Sequence, residues 1–231
     1  MHELPERVKN DIENKSLHAL REIKGHIVVI GGWAARAHGG SKHIRYTFDI
    51  DGVADKRGLK RTQRTLEGSG FSVVDENWGF RATIPHETQE ELDVGRKDLK
   101  IKVEISKPRI YEIDDYHYFE FDLEETEEKE VVSMDESTQV DILVPNIDYL
   151  VANKLGLPPL FKNMYDGCLL ILKSDVNEVS NLIKGINDWN ELAQTRISKT
   201  LEALKNRGSI LNRELSKTGE LSEMRRRIEQ V

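Results

Sequence analysis

The sequence predicts an α/β fold of the α+β kind, in which a mixed β-sheet domain is followed by an all-helical part. Three observations predict it. Short apolar runs alternate with amphipathic segments up to residue 75, period-two alternation then continues to Pro145, and helical spacing takes over after Pro145. We therefore place a domain boundary near residue 145, with one domain at residues 1–145 and a helical domain at residues 146–231.

The individual elements follow from these periods and from their end signals. The first half predicts helices at residues 4–23, 33–40 and 56–70, and strands at residues 26–32, 46–54, 71–75, 80–85, 99–106, 116–123, 129–134 and 138–145. The second half predicts helices at residues 146–157, 158–173, 176–186 and 189–207, with a final charged helix to the end. Asn146 is a suitable N-cap, and Pro158 with Pro159 are expected to start the next helix, where a missing N–H is tolerated.

Composition limits the class of protein. A single cysteine, Cys168, excludes an internal disulfide framework, and the seven histidines show no zinc-ligand spacing. The N-terminal residues contain no apolar run long enough for a signal peptide or a membrane span, so we expect a cytoplasmic protein without a membrane partner. These features favour a globular protein of a reducing compartment.

Charge is unevenly distributed in a chain of net charge -7. The segment Glu112–Glu130 is strongly acidic, which indicates either a solvated hairpin or a partner-binding surface. The chain ends in "EMRRRIEQV", whose arginines point in different directions on a helix and so favour a solvated helix end over a phosphate site.

Two carboxylates lie one residue apart in the predicted strand "YTFDIDGVA". On a strand, Asp49 and Asp51 share one face while Phe48 and Ile50 share the other, and the two aspartate Cα atoms lie roughly 6 to 7 Å apart. Like charges this close are costly to bury unless a cation neutralises them. Hard oxygen ligands suit Mg²⁺ or Mn²⁺, and such ions serve phosphoryl and nucleotidyl transfer.

A glycine turn precedes this strand. Gly31 and Gly32 end one strand and begin a helix, where backbone N–H groups and the helix dipole favour anions. Glycine lets a phosphate approach the backbone closely. A third carboxylate is expected on a neighbouring strand, and in "KIKVEIS" the alternation places Glu104 on the face away from the core.

These motifs resemble the DNA polymerase β-type nucleotidyltransferase superfamily, whose pattern is a Gly-Gly or Gly-Ser turn, a D-x-D or D-x-E strand and one later acidic residue. The resemblance maps the phosphate turn to Gly31 and Gly32, the metal pair to Asp49 and Asp51, and the third carboxylate to Glu104. Gly32 stands where many members carry serine. The resemblance implies a nucleotidyltransferase that uses an NTP with Mg²⁺ or Mn²⁺.

Two branches of that superfamily are similar to different parts of the chain. "IGGWAARAHGG" with "TFDID" is similar to small aminoglycoside and lincosamide nucleotidyltransferases. "VPNIDYLVANKLGLPPLFKNMYDGCLLIL" resembles the AbiEii-type toxin group, with Lys154 at its lysine, Asp166 at its final aspartate and Asn163 where an aspartate is usual. We favour the AbiEii-like branch, in which an antitoxin protein is a partner.

Further residues are candidates for the nucleotide site. Lys154 falls on the apolar stripe of its predicted helix, so it either snorkels to solvent or reaches the triphosphate or Asp166. Arg45 and Arg36 could add positive charge near the nucleotide. Trp33 is expected to cover the sheet edge or to stack on a base.

Two histidines flank the glycine loop beside the predicted site. We expect His38 and His43 to be exposed and assign them no catalytic role.

The predicted reaction is transfer of an NMP from an NTP to a hydroxyl acceptor with release of pyrophosphate. Asp49, Asp51 and Glu104 are the predicted catalytic residues, and Asp49 or Glu104 would help deprotonate the acceptor. The acceptor is RNA, such as tRNA, or a small molecule of the aminoglycoside or lincosamide type. A non-catalytic binding descendant of the fold is the other alternative.

Overall fold

The computed structural model of the chain describes residues 4–43, 45–86, 99–112, 117–185 and 189–231. Its fold is mixed α/β with C-terminal helices, as predicted. The N-terminal elements are α1 (Glu6–Ile23), β1 (Val28–Ile30), α2 (Gly31–Gly39), a 3₁₀ turn (Gly40–Lys42), β2 (Ile50–Val53), α3 (Lys56–Gly68), β3 (Ser72–Glu76), β4 (Gly79–Pro85), β5 (Lys100–Ser106), β6 (Arg109–Tyr111), β7 (Tyr118–Glu120), β8 (Thr126–Val132) and β9 (Gln139–Pro145). The helices that follow are α4 (Ile147–Gly156), α5 (Phe161–Leu170), α6 (Val176–Gly185), α7 (Trp189–Lys205), α8 (Ile210–Ser216) and α9 (Leu221–Ile228).

The chain divides into two compact units. Unit 1 consists of Met1–Ala37, Ile44–Pro108 and Thr126–Val144. Unit 2 consists of His38–His43, Arg109–Glu125 and Pro145–Val231. The last stretch of unit 2 begins at the boundary that the helical period indicates, but two earlier segments also belong to this unit.

Unit 1 is built on a five-stranded sheet of order β1-β2-β5-β4-β3. β2 and β5 pair in parallel and the other neighbours are antiparallel, so the sheet is mixed. The register places Asp51 opposite Ile30 on one side and Glu104 on the other. Glu104 in turn lies opposite Arg81 of β4.

β5 shows why these residues form a strand. Ile101, Val103 and Ile105 are buried, whereas the residues between them are partly exposed, which matches the predicted alternation. Burying every second side chain sets the strand's register, because a slip of one residue would turn the apolar face outward. Glu104 is thereby held on the polar face beside Asp51.

Several element boundaries differ from the prediction. β2 begins at Ile50, because residues 45–49 do not join a strand ladder. α5 begins at Phe161, because Leu160 is still extended (φ -75°, ψ 149°) after the two prolines. The final charged helix is two short helices separated by Gly219, whose φ of +75° interrupts a right-handed helix.

The acidic segment is not a single hairpin. β7 pairs with β6, a strand that was not predicted, whereas β8 pairs with β9. Residues 113–116, including the start of the strand predicted at 116–123, lie outside the described residues. The acidic residues that lie on described strands therefore belong to two separate two-stranded sheets: Glu120 on β7, and Glu127, Glu128 and Glu130 on β8.

Unit 2 packs its helices around aromatic side chains. Phe119 of β7 lies 5.4 Å from the Trp189 ring and 6.5 Å from the Tyr149 ring. Cys168 on α5 is fully buried, and desolvation raises the pKa of its thiol. Among the helices that the structure describes, none combines the length and hydropathy needed to cross a membrane.

Candidate functional site

The glycine turn of unit 1 lies against the D-x-D strand. α2 begins at Gly31, whose φ is +69°, a conformation that L side chains rarely adopt. A Cβ on Gly31 would lie 3.0 Å from the Asp51 Cβ and would also collide with Asp51 Oδ2. Glycine is therefore required at position 31 for two reasons: its positive φ and the lack of room for a Cβ. The start of a helix, which favours anions, directly contacts a carboxylate that favours cations.

The second glycine leaves room for a hydroxyl and a guanidinium. A Cβ on Gly32 would collide with Thr47 Oγ1 and would lie 3.1 Å from Arg45 Nη2. Thr47 Oγ1 thus fills the space next to the turn that a side chain at position 32 would need. Sequence reasoning identified Arg45 but missed Thr47.

Asp49 and Asp51 remain accessible. Asp49 is exposed and Asp51 is partly exposed, while Ile50 between them is buried, as the strand period predicts. Two carboxylates on one face beside a helix start form a donor set that fits a hard divalent cation, with water and phosphate oxygens as its other ligands. The residues present therefore fit Mg²⁺ or Mn²⁺.

Glu104 has other partners. Its Oε1 accepts from Arg81 Nε at 2.7 Å, and its Oε2 lies 2.8 Å from Lys102 Nζ. Desolvation raises the pKa of Glu104, but the hydrogen bonds from Lys102 and Arg81 bring it below its ordinary value. In the described part of the chain, no three His, Cys, Asp or Glu side chains gather into a metal cluster. Glu104 is adjacent to Asp51 in register, but its carboxylate is bound to these two cations.

A buried ion pair supports the segment before Asp49. Arg36 on α2 and Glu13 on α1 are paired at 2.8 Å (Nη1 to Oε1), with side chains 5% and 0% exposed. Arg36 Nη2 donates to the Arg45 carbonyl at 2.7 Å, and Glu13 Oε1 accepts from the Thr47 N–H at 3.4 Å. Ser16 Oγ donates to the Phe48 carbonyl at 2.8 Å. These side chains bind a backbone that has no strand partner at this point.

The predicted charge from Arg36 is therefore already matched within the protein. Sequence reasoning missed Glu13, although its position carried a signal. Glu13 lies three, four and seven residues before Ser16, Leu17 and Leu20, which are buried residues of α1. A carboxylate within a buried helical stripe indicates a buried partner.

Lys154 and Asp166 lie in unit 2 and bind each other. Lys154 Nζ donates to Asp166 Oδ2 at 2.9 Å, with the lysine side chain 5% exposed and the aspartate 0% exposed. His43 Nε2 lies 3.1 Å from the other carboxylate oxygen. Of the three alternatives for Lys154, contact with Asp166 is observed, snorkelling to solvent is not, and contact with a triphosphate stays a prediction.

Three further expectations concern side chains around the turn. His38 and His43 are buried, not exposed: His38 Nε2 lies 2.9 Å from the Pro145 carbonyl, and His43 contacts Asp166. Trp33 is fully buried and its ring is covered by the Arg36 guanidinium at 5.5 Å. Of the two predicted roles for Trp33, the structure shows packing, since a buried ring offers no face to a base.

No family model and no curated protein matches the sequence. Solved structures do match the fold. The antibiotic-resistance factor ANT(2″)-Ia, solved in solution, matches with a TM-score of 0.52 and 14% identity, over 81% of this chain and 99% of that one. The protein JHP933 of Helicobacter pylori matches with a TM-score of 0.51 and 16% identity, over 99% and 96% of the two chains.

A candidate nucleotidyltransferase from H. pylori matches with a TM-score of 0.50 and 15% identity, over 98% of each chain. At these identities the likeness shows the fold. The chain therefore has the fold of these proteins, and its membership of the DNA polymerase β-type superfamily and of the AbiEii-type subgroup stays a prediction.

Proposed function

We propose that the chain is a metal-dependent nucleotidyltransferase that moves an NMP from an NTP to a hydroxyl acceptor. The observation that carries this proposal is the contact between the Gly31 turn and Asp51. It brings an anion-binding helix start and a cation-binding carboxylate to one point, which a metal-bound triphosphate needs. The fold shared with a candidate nucleotidyltransferase supports the same reaction.

In the proposed reaction, the acceptor oxygen bonds to the α-phosphorus of the NTP. The bond from that phosphorus to the bridging oxygen breaks, and pyrophosphate leaves with the bond's electron pair. Asp49 and Asp51 would hold Mg²⁺ or Mn²⁺, which supplies charge neutralisation at the phosphates. The N–H groups at Gly31 and Gly32, with Thr47 and Arg45, would bind the phosphate oxygens.

Asp49 fits the role of proton acceptor better than Glu104. The cations beside Glu104 stabilise its charged form and lower its pKa, which makes it a weaker base. Asp49 is exposed and can reach the hydroxyl of a bound acceptor. The role of Lys154 and Asp166 in nucleotide binding stays a prediction, because their side chains bind each other, and Asp166 also binds His43, within unit 2.

The test is transfer of label from each α-³²P NTP to total RNA, with Mg²⁺ or Mn²⁺. We expect the wild type to label RNA and EDTA to abolish labelling. Asp51→Asn should lower the rate by about 100-fold or more, because the variant would no longer hold the cation that stabilises the negative charge of the transition state. Glu22→Gln, a change at an exposed carboxylate of α1, is the matched control and should leave the rate unchanged.

Label transfer that persists in Asp51→Asn would remove the role assigned to that residue. A wild type that binds no NTP and labels no acceptor would support the non-catalytic alternative instead. If RNA accepts the nucleotide, an AbiEii-like toxin with an antitoxin partner becomes the finer hypothesis.

A second candidate acceptor is a small molecule of the aminoglycoside or lincosamide type. The likeness of the fold to an antibiotic-resistance factor favours it. Incubation with a panel of these antibiotics and labelled NTP, followed by mass spectrometry, distinguishes the two acceptors, because only a small-molecule enzyme would give a product heavier by one NMP.

A further inference from the structure

Helix α3 of unit 1 carries a dense positive stripe. Five of its first nine residues are basic, and all five are exposed: Lys56, Arg57, Lys60, Arg61 and Arg64. We call this set the α3 basic stripe. The chain as a whole has a net charge of -7, so the stripe is a local reversal of its overall sign.

The opposite face of α3 fixes the orientation of the stripe. Gly58, Thr62 and Leu66 are buried. A Cβ on Gly58 would lie 2.9 Å from the Ala54 Cβ and would collide with the His26 carbonyl, so the helix is packed closely against the chain at this point. The helix cannot turn its basic face inward.

The stripe is not neutralised within the part of the chain that the structure describes. None of its five cations forms an ion pair there, whereas Lys24, Arg81 and Lys102 each pair with a carboxylate. The only acidic residue at the helix start, Asp55, accepts a hydrogen bond from the Gly58 N–H as the N-cap.

The stripe also opposes helix formation. Lys56 and Lys60, like Arg57 and Arg61, are like charges four residues apart, and such pairs repel each other on a helix. The first turn contains no acidic residue, so its cations face the positive end of the helix dipole. Folding alone therefore does not account for this surface.

We propose that the α3 basic stripe binds the phosphate backbone of an RNA acceptor. This inference rests on the proposed function and names its acceptor class. From Lys56 to Arg64 the helix rises about 12 Å, which matches about three to four phosphate spacings along one strand of a duplex. A small-molecule acceptor is too short to use such a stripe.

The stripe is close enough to the proposed site to hold an acceptor for it. Lys56 follows Asp51 by five residues, so their Cα atoms lie at most about 18 Å apart. An RNA bound along α3 can extend over that distance and place a terminal hydroxyl near Asp51. The fully exposed positions of α3 carry no apolar side chain that could enter a lipid bilayer, and Leu59 is only partly exposed, so nucleic acid is the fitting polyanion.

The experiment measures binding without catalysis. A 5′-fluorescein-labelled RNA hairpin with a free 3′ hydroxyl is titrated with the full-length protein in EDTA, without NTP, and anisotropy is read at several salt concentrations. The variant Lys56→Gln/Lys60→Gln/Arg64→Gln should bind at least 10-fold more weakly at low salt. Its slope of log K against log salt should fall by about 2 to 3, since each lost phosphate contact removes about one unit.

The matched control is Lys184→Gln/Lys199→Gln/Arg207→Gln, which removes the same charge from exposed positions of unit 2. It should bind within 2-fold of the wild type. The α3 variant should also melt at the wild-type temperature or above, because the repulsion between like charges on α3 is relieved. Weaker binding by this variant would therefore not come from unfolding.

Two outcomes would overturn the inference: no binding by the wild type, or equal loss in both triple variants. If the stripe bound an acidic polypeptide such as polyglutamate and did not bind RNA, it would be assigned to a protein partner instead. A wild type that binds RNA through α3 but transfers no nucleotide would overturn the proposed function and would leave the RNA-binding role of the α3 basic stripe intact. If the α3 variant labelled RNA at the wild-type rate, the proposed function would stand and the RNA-binding role of the α3 basic stripe would be overturned.

Discussion

At the residue scale, four polar side chains alternate with larger apolar or aromatic ones on the way into β2: Arg45, Thr47, Asp49 and Asp51. Alternate residues of a strand lie on the same side, so the strand predicted at residues 46–54 would place Thr47, Asp49 and Asp51 on one polar edge. Both Arg45 and Thr47 lie against the Gly32 position, which shows that the edge includes the turn. The period of two was visible in the sequence, but the contact with Gly32 joins residues on separate elements.

The Gly32 position tests this arrangement. Many members of the superfamily that the sequence resembles carry serine at the position of Gly32. In Gly32→Ser, the new Cβ would collide with Thr47 Oγ1. We expect a loss of about 1 to 3 kcal/mol in the free energy of unfolding, measured by urea denaturation, because the site is already filled. Thr47→Ala in the same chain should recover part of that loss.

Gly68→Ser is the matched control, because a Cβ there would meet nothing within 4 Å. It should change the free energy of unfolding by less than about 0.5 kcal/mol. If Gly32→Ser is as stable as the wild type, the turn has more room than the structure gives it.

The same scale explains why the sequence singled out Asp49 and Asp51 but did not indicate the partners of Glu104. Asp49 and Asp51 stood out because charge is rare within an apolar strand. The partners of Glu104 could not be found in this way, since Arg81 meets it across the β4–β5 ladder. Register between strands depends on the whole sheet.

At the element scale, α1 does more than cover the sheet. Glu13 and Ser16 bind the backbone of residues 47 and 48, and Glu13 Oε2 also accepts from the Met134 N–H at 2.6 Å. α1 therefore joins the segment that leads into β2 to the turn between β8 and β9. Its helical period was predictable, but its partners lie 34 and 121 residues away along the chain.

Breaking the buried pair should show this connection. Glu13→Gln leaves the Arg36 guanidinium without its counter-charge, so we expect a loss of about 3 kcal/mol in the free energy of unfolding. The double variant Glu13→Gln/Arg36→Met should lose less than the sum of the two single variants, because the uncompensated charge is gone. Urea denaturation of the four proteins gives the coupling energy.

Glu22→Gln, on the exposed side of the same helix, is the control and should lose less than about 0.5 kcal/mol. Additive losses in the double variant would mean that Glu13 and Arg36 act independently.

At the scale of the whole molecule, the linear boundary at residue 145 describes only part of the organisation. Unit 2 takes His38–His43 and Arg109–Glu125 from the N-terminal half. His43 supplies a partner to Asp166, and Phe119 packs on Trp189. A period of 3.6 marks where helices begin along a chain, but it carries no information about which earlier segments complete their core.

A fragment of residues 146–231 should therefore not fold as the intact chain does. It lacks His43 and Phe119, so Asp166 loses a buried hydrogen-bond partner and the Trp189 ring loses a neighbour. We expect no cooperative thermal transition by circular dichroism and a red-shifted Trp189 emission.

The full-length variant Trp33→Phe/Trp78→Phe, in which Trp189 is the sole tryptophan, is the reference for that emission. Cooperative melting of the fragment with the reference emission would show that residues 146–231 are a domain by themselves.

The buried thiol of Cys168 has a practical consequence for labelling. It is the single cysteine of the chain, it has no solvent-exposed surface, and its raised pKa keeps the reactive thiolate scarce. A cysteine introduced on a surface helix would consequently be the one that a maleimide dye or a photo-crosslinker reaches in the native protein. The wild-type chain thus already serves as a nearly silent background for single-molecule fluorescence and for site-specific crosslinking to a nucleic acid.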